Sequence, residues 1–464
     1  MHFRLESAVY LDHLCAVLGH MDRNVGLKDY CRGLMLPIQR KSIEPLAAHT
    51  DPLHVAAKHQ SLHHFVAKSE WSDKAVLSSV RDWVLPTLDV SSGGYWIVDD
   101  TGFPKKGKHS VGVARQYCGQ LGKQDNCQVA VSLSLATAQG SLPMAYQLYL
   151  PKDWAADPVR RVTAGVPAGV AFATKPEIAL AQMREAIASG VPRGVLLADA
   201  GYGDETAFRD GVTELGMLYA VGIRPATTVW APGTGPLPPK PWCGRGLRPT
   251  RLRREPGHEP LSVKTLAMAL PADAYRVVTW REGTNIDLSS RFATVRVRPA
   301  HRDYLTAERR PEEWLLVEWP PGELEPTKYF LSTGPDGATP EQLVFVTKMR
   351  WRIERDYQEL KQEFGLAHYE GRGWQGFHHH ATLCIAAYGF LVAQRLSQDS
   401  SKKNAARPKT SPLPENYVPR GRRTSAATCA RLNYDAAIPY RSSNRPRTSA
   451  MPMLQSRAIC LVTQ

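Results

Sequence analysis

Two apolar runs that end in carboxylates constrain this chain more than any other feature. Tyr95-Trp-Ile-Val-Asp99-Asp100-Thr-Gly-Phe-Pro and Val195-Leu-Leu-Ala-Asp199-Ala-Gly-Tyr-Gly each read as a buried strand that stops at an acid and a glycine turn. A charge at such a place is costly unless it is paired or bound to metal. Between the two runs, residues 128–137 alternate. Val129, Val131, Leu133 and Leu135 lie on one face, with Ala130, Ser132, Ser134 and Ala136 on the other, as in a strand with one large-residue face. Residues 142–150 read as a third strand, with Pro143 confined to its start. Short connections favour antiparallel neighbours among these three. A Pro/Gly/Ala linker (151–173) leads to a helix near 176–188, with a Thr174/Glu177 capping box and Gly190 as its stop. After Asp199, a helix capped by Asp204 and a strand near 218–223 follow. The order predicts an α/β fold: a mixed sheet flanked by helices.

Residues 340–364, PEQLVFVTKMRWRIERDYQELKQEF, predict one long helix. Thr339 and Gln342 form a capping box, Pro340 suits the first turn, and Gly365 stands at the stop. At 100° per residue, Val346, Met349, Ile353, Leu360 and Phe364 form a core stripe, with Tyr357 at its border. Beside it run Arg350, Glu354 and Lys361. Alone, Arg350 and Glu354 read as a surface i,i+4 pair worth a few tenths of a kcal/mol.

The rest of the chain divides around these segments. Residues 1–86 carry helical periodicity and form a helical N-terminal region able to serve DNA-end binding; it holds His59, His63 and His64, without local acids or cysteines to make a metal site. Residues 87–223 make the first part of an α/β core. Residues 224–338, Arg-, Pro- and Gly-rich over 231–257 with strand-like runs after that, make a β-rich insertion. Residues 339–396 return to helix, with His378, His379 and His380 read as polar boundary residues, and 397–464 read as a basic, disordered tail.

Charge narrows the partners. The 464 residues carry a formal +14. Twelve Lys/Arg against three Asp/Glu put 12 − 3 = +9 of it in the tail, so the remainder is only mildly basic. Such a balance makes nucleic acid the first candidate partner. No apolar run reaches spanning length and no charged-then-apolar start marks a signal, so no membrane association is expected and the expected location is cytoplasmic, with the nucleoid. The eight cysteines form no CxxC pair, which argues against a zinc site or a disulfide scaffold.

Asp100, Asp199 and Glu354 then form a candidate constellation. Oxygen-only donors suit Mg²⁺ or Mn²⁺, and two such ions can activate water or a 3′-hydroxyl in phosphodiester chemistry. No P-loop, GxGxxG or GxSxG competes. Across HQSLHHFV (59–66), VDDTGFPKKGKHSVGVARQYCGQLGKQDNCQ (98–128), LLADAGYGD (196–204) and RWRIERDYQELKQEFGLAHYEGRGWQGFHHH (350–380), the chain resembles the DDE transposases of bacterial insertion sequences. The resemblance covers roughly residues 25–395. It implies an RNase-H-like core that holds two Mg²⁺ or Mn²⁺ ions between Asp100, Asp199 and Glu354. It also implies cleavage of double-stranded DNA at the element's inverted repeats and joining of the freed 3′-hydroxyl to target DNA, within a homodimeric DNA complex. Arg350, Glu354 and Lys361 match the R-x3-E-x6-K part of a Y-x2-R-x3-E-x6-K signature, while Thr347 stands where the Tyr belongs. Arg350, Trp351, Lys361, Lys105 and Lys106 are the expected DNA contacts. Asp99 rivals Asp100 as first acid; the related pattern places Thr directly after the acid, as Thr101 follows Asp100. Two other readings stay open: a nuclease of the same superfamily that cuts without joining, and a decayed derivative that only binds DNA.

Overall fold

A computed structural model describes residues 2–90, 94–281 and 288–405. The N-terminal region is helical as expected: α1 (His2–Cys15), α2 (Asp22–Met35), α3 (Ile43–Thr50), α4 (Val55–Ala67) and α5 (Asp73–Val84). Strands β1 (Tyr95–Pro104), β2 (Ala114–Cys118), β3 (Lys123–Ala136) and β4 (Ser141–Leu148) follow, then the short α6 (Lys152–Ala155) and α7 (Pro158–Thr163) and the longer α8 (Lys175–Ala188). Next come β5 (Val195–Ala198), α9 (Ala200–Gly203), α10 (Thr206–Glu214) and β6 (Leu218–Ile223). The insertion supplies β7 (Thr228–Trp230), β8 (Leu261–Ser262), α11 (Val263–Ala269), β9 (Arg276–Arg281), β10 (Leu288–Pro299), β11 (Glu313–Trp319) and β12 (Lys328–Ser332). Helices α12 (Pro340–Lys348), α13 (Trp351–Gln362) and α14 (Trp374–Ala405) complete the described chain.

The fold is α/β with an RNase-H-like mixed sheet. β1 pairs antiparallel with β3 and parallel with β5, and β5 pairs parallel with β6. β12 then pairs antiparallel with β6, so the insertion's strands extend the same sheet. The two faces of β3 explain its alternating sequence. Val131, Leu133 and Leu135 pack with Ile178, Ala179 and Met183 of α8. Ser132 and Ser134 lie equally buried on the opposite face, where α13 crosses. Small residues there let that helix approach closely, and Ser132 donates a hydrogen bond to the Asp99 carbonyl at 3.1 Å.

Several expectations change. β1 runs through Asp99 and Asp100 to Pro104 and does not turn at the acids, because β3 pairs with it along its whole length. β2 adds a hairpin strand within 98–128. The long helix divides into α12 and α13. At the join, the Met349 amide donates to both Phe345 and Val346, and Arg352 and Ile353 donate three residues back, to Met349 and Arg350. The tighter turn separates the helices while the expected stripe of Val346, Met349, Ile353, Leu360 and Phe364 stays buried. Residues 397–405 continue α14, and the rest of the expected tail lies outside the described residues. Among the described residues, no helix is long and apolar enough to cross a membrane.

The three histidines that open α14 are buried. His379 bonds the Val66 and Trp71 carbonyls, His380 bonds Tyr30 and the Gly365 carbonyl, and His378 meets the Leu148 amide. They join α14 to the N-terminal helices and to the sheet, where the sequence suggested a polar boundary. Tyr10 adds a hydrogen bond to the Ala386 carbonyl.

Candidate active site

Register decides which carboxylates can meet. In the parallel pair β1/β5, Tyr95 faces Val195, Trp96 faces Leu196 and Ile97 faces Leu197. Continued two residues, the same register sets Asp99 beside Asp199. Successive side chains point to opposite faces of a sheet. Asp99 therefore shares a face with Asp199, and Asp100 points to the other.

The contacts follow that parity. Asp99 Oδ1 accepts from Arg350 Nη2 at 3.3 Å, and Arg350 Nη1 donates to Glu354 Oε1 at 2.9 Å. Burial pulls the Arg350 guanidinium down. The neighbouring charges of Asp99, Asp199 and Glu354 outweigh this and hold its pKa above the usual arginine value. One cation thus bridges carboxylates of β1 and α13 and feels the charge of a third, Asp199, in the β5–α9 turn. Burial pushes the Asp99 carboxyl up to about 6, with Arg350 opposing and Asp199 reinforcing the rise.

Asp100 faces α8 instead. Its Oδ2 accepts from Lys175 Nζ at 2.6 Å, and its Oδ1 accepts the buried Tyr202 hydroxyl. It clamps the middle of β1 to the start of α8 and to α9. The physical reason is the strand's alternation: the neighbour of a residue aimed at α13 must be aimed at α8.

Asp199 caps α9, accepting from the Gly201 amide at 2.9 Å. The glycines of this turn are set by close packing. A Cβ on Gly203 would lie 2.2 Å from the Gly222 carbonyl oxygen, and one on Gly222 would lie 2.9 Å from the Ala200 amide nitrogen. The turn can press against β6 only without side chains at both positions, and that contact fixes where Asp199 stands.

The expected DNA-contacting residues are dispersed. Arg350 is engaged by acids. Trp351 packs between Arg281 and Arg352, whose guanidinium carbons lie 4.1 and 4.6 Å from its ring centroid. Lys361 Nζ donates to the Gly102 carbonyl at 3.2 Å, and Lys105 Nζ to the Tyr369 carbonyl at 3.0 Å. Lys106 is exposed. Thr347 is buried and turns its hydroxyl back to the Leu343 carbonyl at 2.8 Å. The Tyr position of the signature here closes a helix turn.

Two supports escaped sequence reading. Tyr202 sits in the Gly-Tyr-Gly turn, where its phenol had no evident partner. Asp356 lies on the core stripe, three residues after Ile353, and its Oδ1 accepts from Ser141 Oγ at 2.6 Å and Tyr388 at 2.8 Å. A carboxylate in an apolar i, i+3, i+7 pattern was the available signal. It ties α13 to β4 and α14, two residues past Glu354.

Asp99, Asp199 and Glu354 offer oxygen donors alone, the set that suits hard divalent cations. As the side chains stand, no three His, Cys, Asp or Glu among the described residues are gathered closely enough to hold one ion. Asp99 and Glu354 both pair with Arg350, and Glu354 is 65% exposed on a long side chain. The donor set fits a Mg²⁺- or Mn²⁺-type site.

A family model described as DDE superfamily endonuclease matches residues 13–286, more than half of the chain. A protein from Microchaete diplosiphon, named probable transposase for insertion sequence element IS701, is 32% identical over 166 residues. That match spans 36% of this chain and 40% of the relative's length. With the RNase-H-like sheet already in place, the family match is decisive: this chain belongs to the DDE superfamily of endonucleases.

Proposed function

We propose that this chain is an insertion-sequence transposase that cuts DNA at its element's ends and joins the freed 3′-hydroxyl to target DNA. The observation that carries the reading is the β1/β5 register, which sets Asp99 beside Asp199 on the face where Arg350 pairs with both Asp99 and Glu354. Asp99 serves as the first acid in place of Asp100, on register and on contact. Asp100 supports the site from the opposite face. Asp99, Asp199 and Glu354 would hold the divalent ions, two by the chemistry of the family. When bound, such ions lower the pKa of an attacking water or hydroxyl and stabilise the leaving oxygen.

The chain's own residues do the rest. Asp199 is oriented by its cap to α9, and Glu354 by a helix whose buried side is locked by Asp356 and Tyr357. Arg350 pairs with Asp99 and Glu354 and would turn toward phosphate if those acids held metal, with Lys361 and Trp351 on the same helix. On this reading the helices of 1–86 and the insertion of 224–338 grip DNA around the core of 87–223 and 339–396. Two copies bring two double-stranded ends, with their inverted repeats, together.

The test incubates purified protein and Mg²⁺ with DNA from the element's ends. Nicks at the ends followed by joined products are expected. Cuts without joining would reassign the chain to a nuclease, and binding with neither product would leave only a DNA-binding derivative. Strand cleavage retained by Asp199→Ala would refute the site.

A further inference from the structure

The acids of the insertion are distributed unevenly, and the unevenness has a structural counterpart. From residue 215 to residue 254 there is no Asp or Glu, whereas Arg224, Lys240, Arg245, Arg248, Arg251, Arg253 and Arg254 all fall within it. Elsewhere in the insertion several arginines are engaged. Arg296 reaches Asp336 at 3.1 Å, Arg298 reaches Glu312 at 3.2 Å, and Arg310 reaches Asp210 at 2.6 Å. Arg254 is spent on the buried Asp303, and Arg253 on Glu255.

Lys240, Arg245, Arg248 and Arg251 differ. Each is exposed, within a run of exposed residues from 240 to 251, and none of the four side chains has a hydrogen-bond or ion-pair partner among the described residues. The loop is nevertheless pinned. Leu237 and Arg253 exchange backbone hydrogen bonds at 2.9 and 3.0 Å, and Arg253 Nε holds the Pro238 carbonyl. The Leu252 amide bonds the Thr306 carbonyl, and its side chain is buried. Within the loop, Trp242 Nε1 reaches the Gly246 carbonyl at 3.2 Å across left-handed turns at Gly244 and Gly246. Leu247, between two arginines, is 97% exposed.

A merely solvated loop has no need of four unpaired cations without one acid, on a base held at several points. We infer that residues 240–251 form an arm that lies on duplex DNA, with Lys240, Arg245, Arg248 and Arg251 on backbone phosphates and Leu247 toward the groove. Spaced by three, Arg245 to Arg251 can spread over up to ~20 Å of extended chain, enough to span several phosphates. Duplex DNA is the occupant the charge favours in a DDE endonuclease, so the inference rests on the proposed function.

The experiment measures binding of the full-length chain to a mixed-sequence duplex of about 40 base pairs across a salt series, without divalent metal. The variant carries Lys240→Gln, Arg245→Gln, Arg248→Gln and Arg251→Gln together. Each phosphate contact contributes about 0.9 to the slope of log K against log salt, so the variant's slope should be shallower by about 3.6, with thermal stability unchanged. A variant slope within about 1 of the parent's would overturn the inference while leaving the proposed function intact. A parent that shows no salt-dependent duplex binding would instead refute the proposed function. Polyglutamate or single-stranded RNA competing as well as duplex, in the parent and not in the variant, would overturn the assignment to duplex DNA.

Discussion

Asp99 and Asp100 are adjacent, yet opposite results are expected when each is changed. Asp99 has a carboxyl pushed up to about 6 from an ordinary 3.8, chiefly by burial. A raised carboxyl favours folding most when protonated, and the benefit is lost as pH rises through the folded value. At pH 8 the ionised group then costs the metal-free protein about 3 kcal/mol at most, from ~2.2 units at 1.36 kcal/mol each; at pH 5 the same linkage gives about 1.6 kcal/mol. Asp99→Asn should therefore stabilise the metal-free chain by roughly 1–3 kcal/mol at pH 8 and by about half that at pH 5, while nicking falls to background. Asp100→Ala removes the acceptor of the buried Tyr202 hydroxyl, at ~1–3 kcal/mol, and a partly exposed ion pair to Lys175 worth ~0–1 kcal/mol. That variant should be less stable by a few kcal/mol and still nick in its folded fraction. Urea unfolding in EDTA at both pH values, with a nicking assay in Mg²⁺, reads both effects. Loss of nicking in a fully stable Asp100→Ala, beside an active Asp99→Asn, would refute the argument from strand parity.

Other expectations test the supports. Asp356→Ala strands the buried Ser141 and Tyr388 hydroxyls and should cost ~2–4 kcal/mol in urea unfolding, whereas Asp356→Asn, which keeps an acceptor, should cost less. Gly203→Ala forces a Cβ onto the Gly222 carbonyl; a fall in melting temperature of several degrees with weakened Mg²⁺-dependent nicking is expected, and an unchanged protein would show that the turn has room. Burial lowers His379 and His380 to about 4. An unfolded histidine binds protons near 6.5, so stability should fall as pH drops from about 6.5 toward 4, by up to ~3 kcal/mol for each. Replacing His380 by Gln should flatten that slope in a pH-stability series. Arg350→Ala leaves the three acids to repel one another; the metal-free melting temperature should drop, and Mg²⁺ should raise it by more than in the parent.

The sequence by itself determined the elements and their chemistry. The alternation over 129–136, two capping boxes and the stripe from Val346 to Phe364 are local patterns, written at the periods of strand and helix, and each survives in the folded chain, whereas the first acid-ending run continues as strand to Pro104. Glu354 and Asp199 stand out as candidates for the same reason, as acids at the margins of such patterns. The choice between Asp99 and Asp100 was not legible. A run of residues states that neighbours face opposite ways, and only the register of β1 on β5 states which way faces Asp199. The engagement of Lys105 and Lys361 by distant carbonyls is likewise a product of packing. So are the burial of three adjacent histidines and the union of the insertion with the core sheet through β6 and β12. Each depends on partners hundreds of residues or several elements away, which local periodicity does not encode and tertiary contact alone decides.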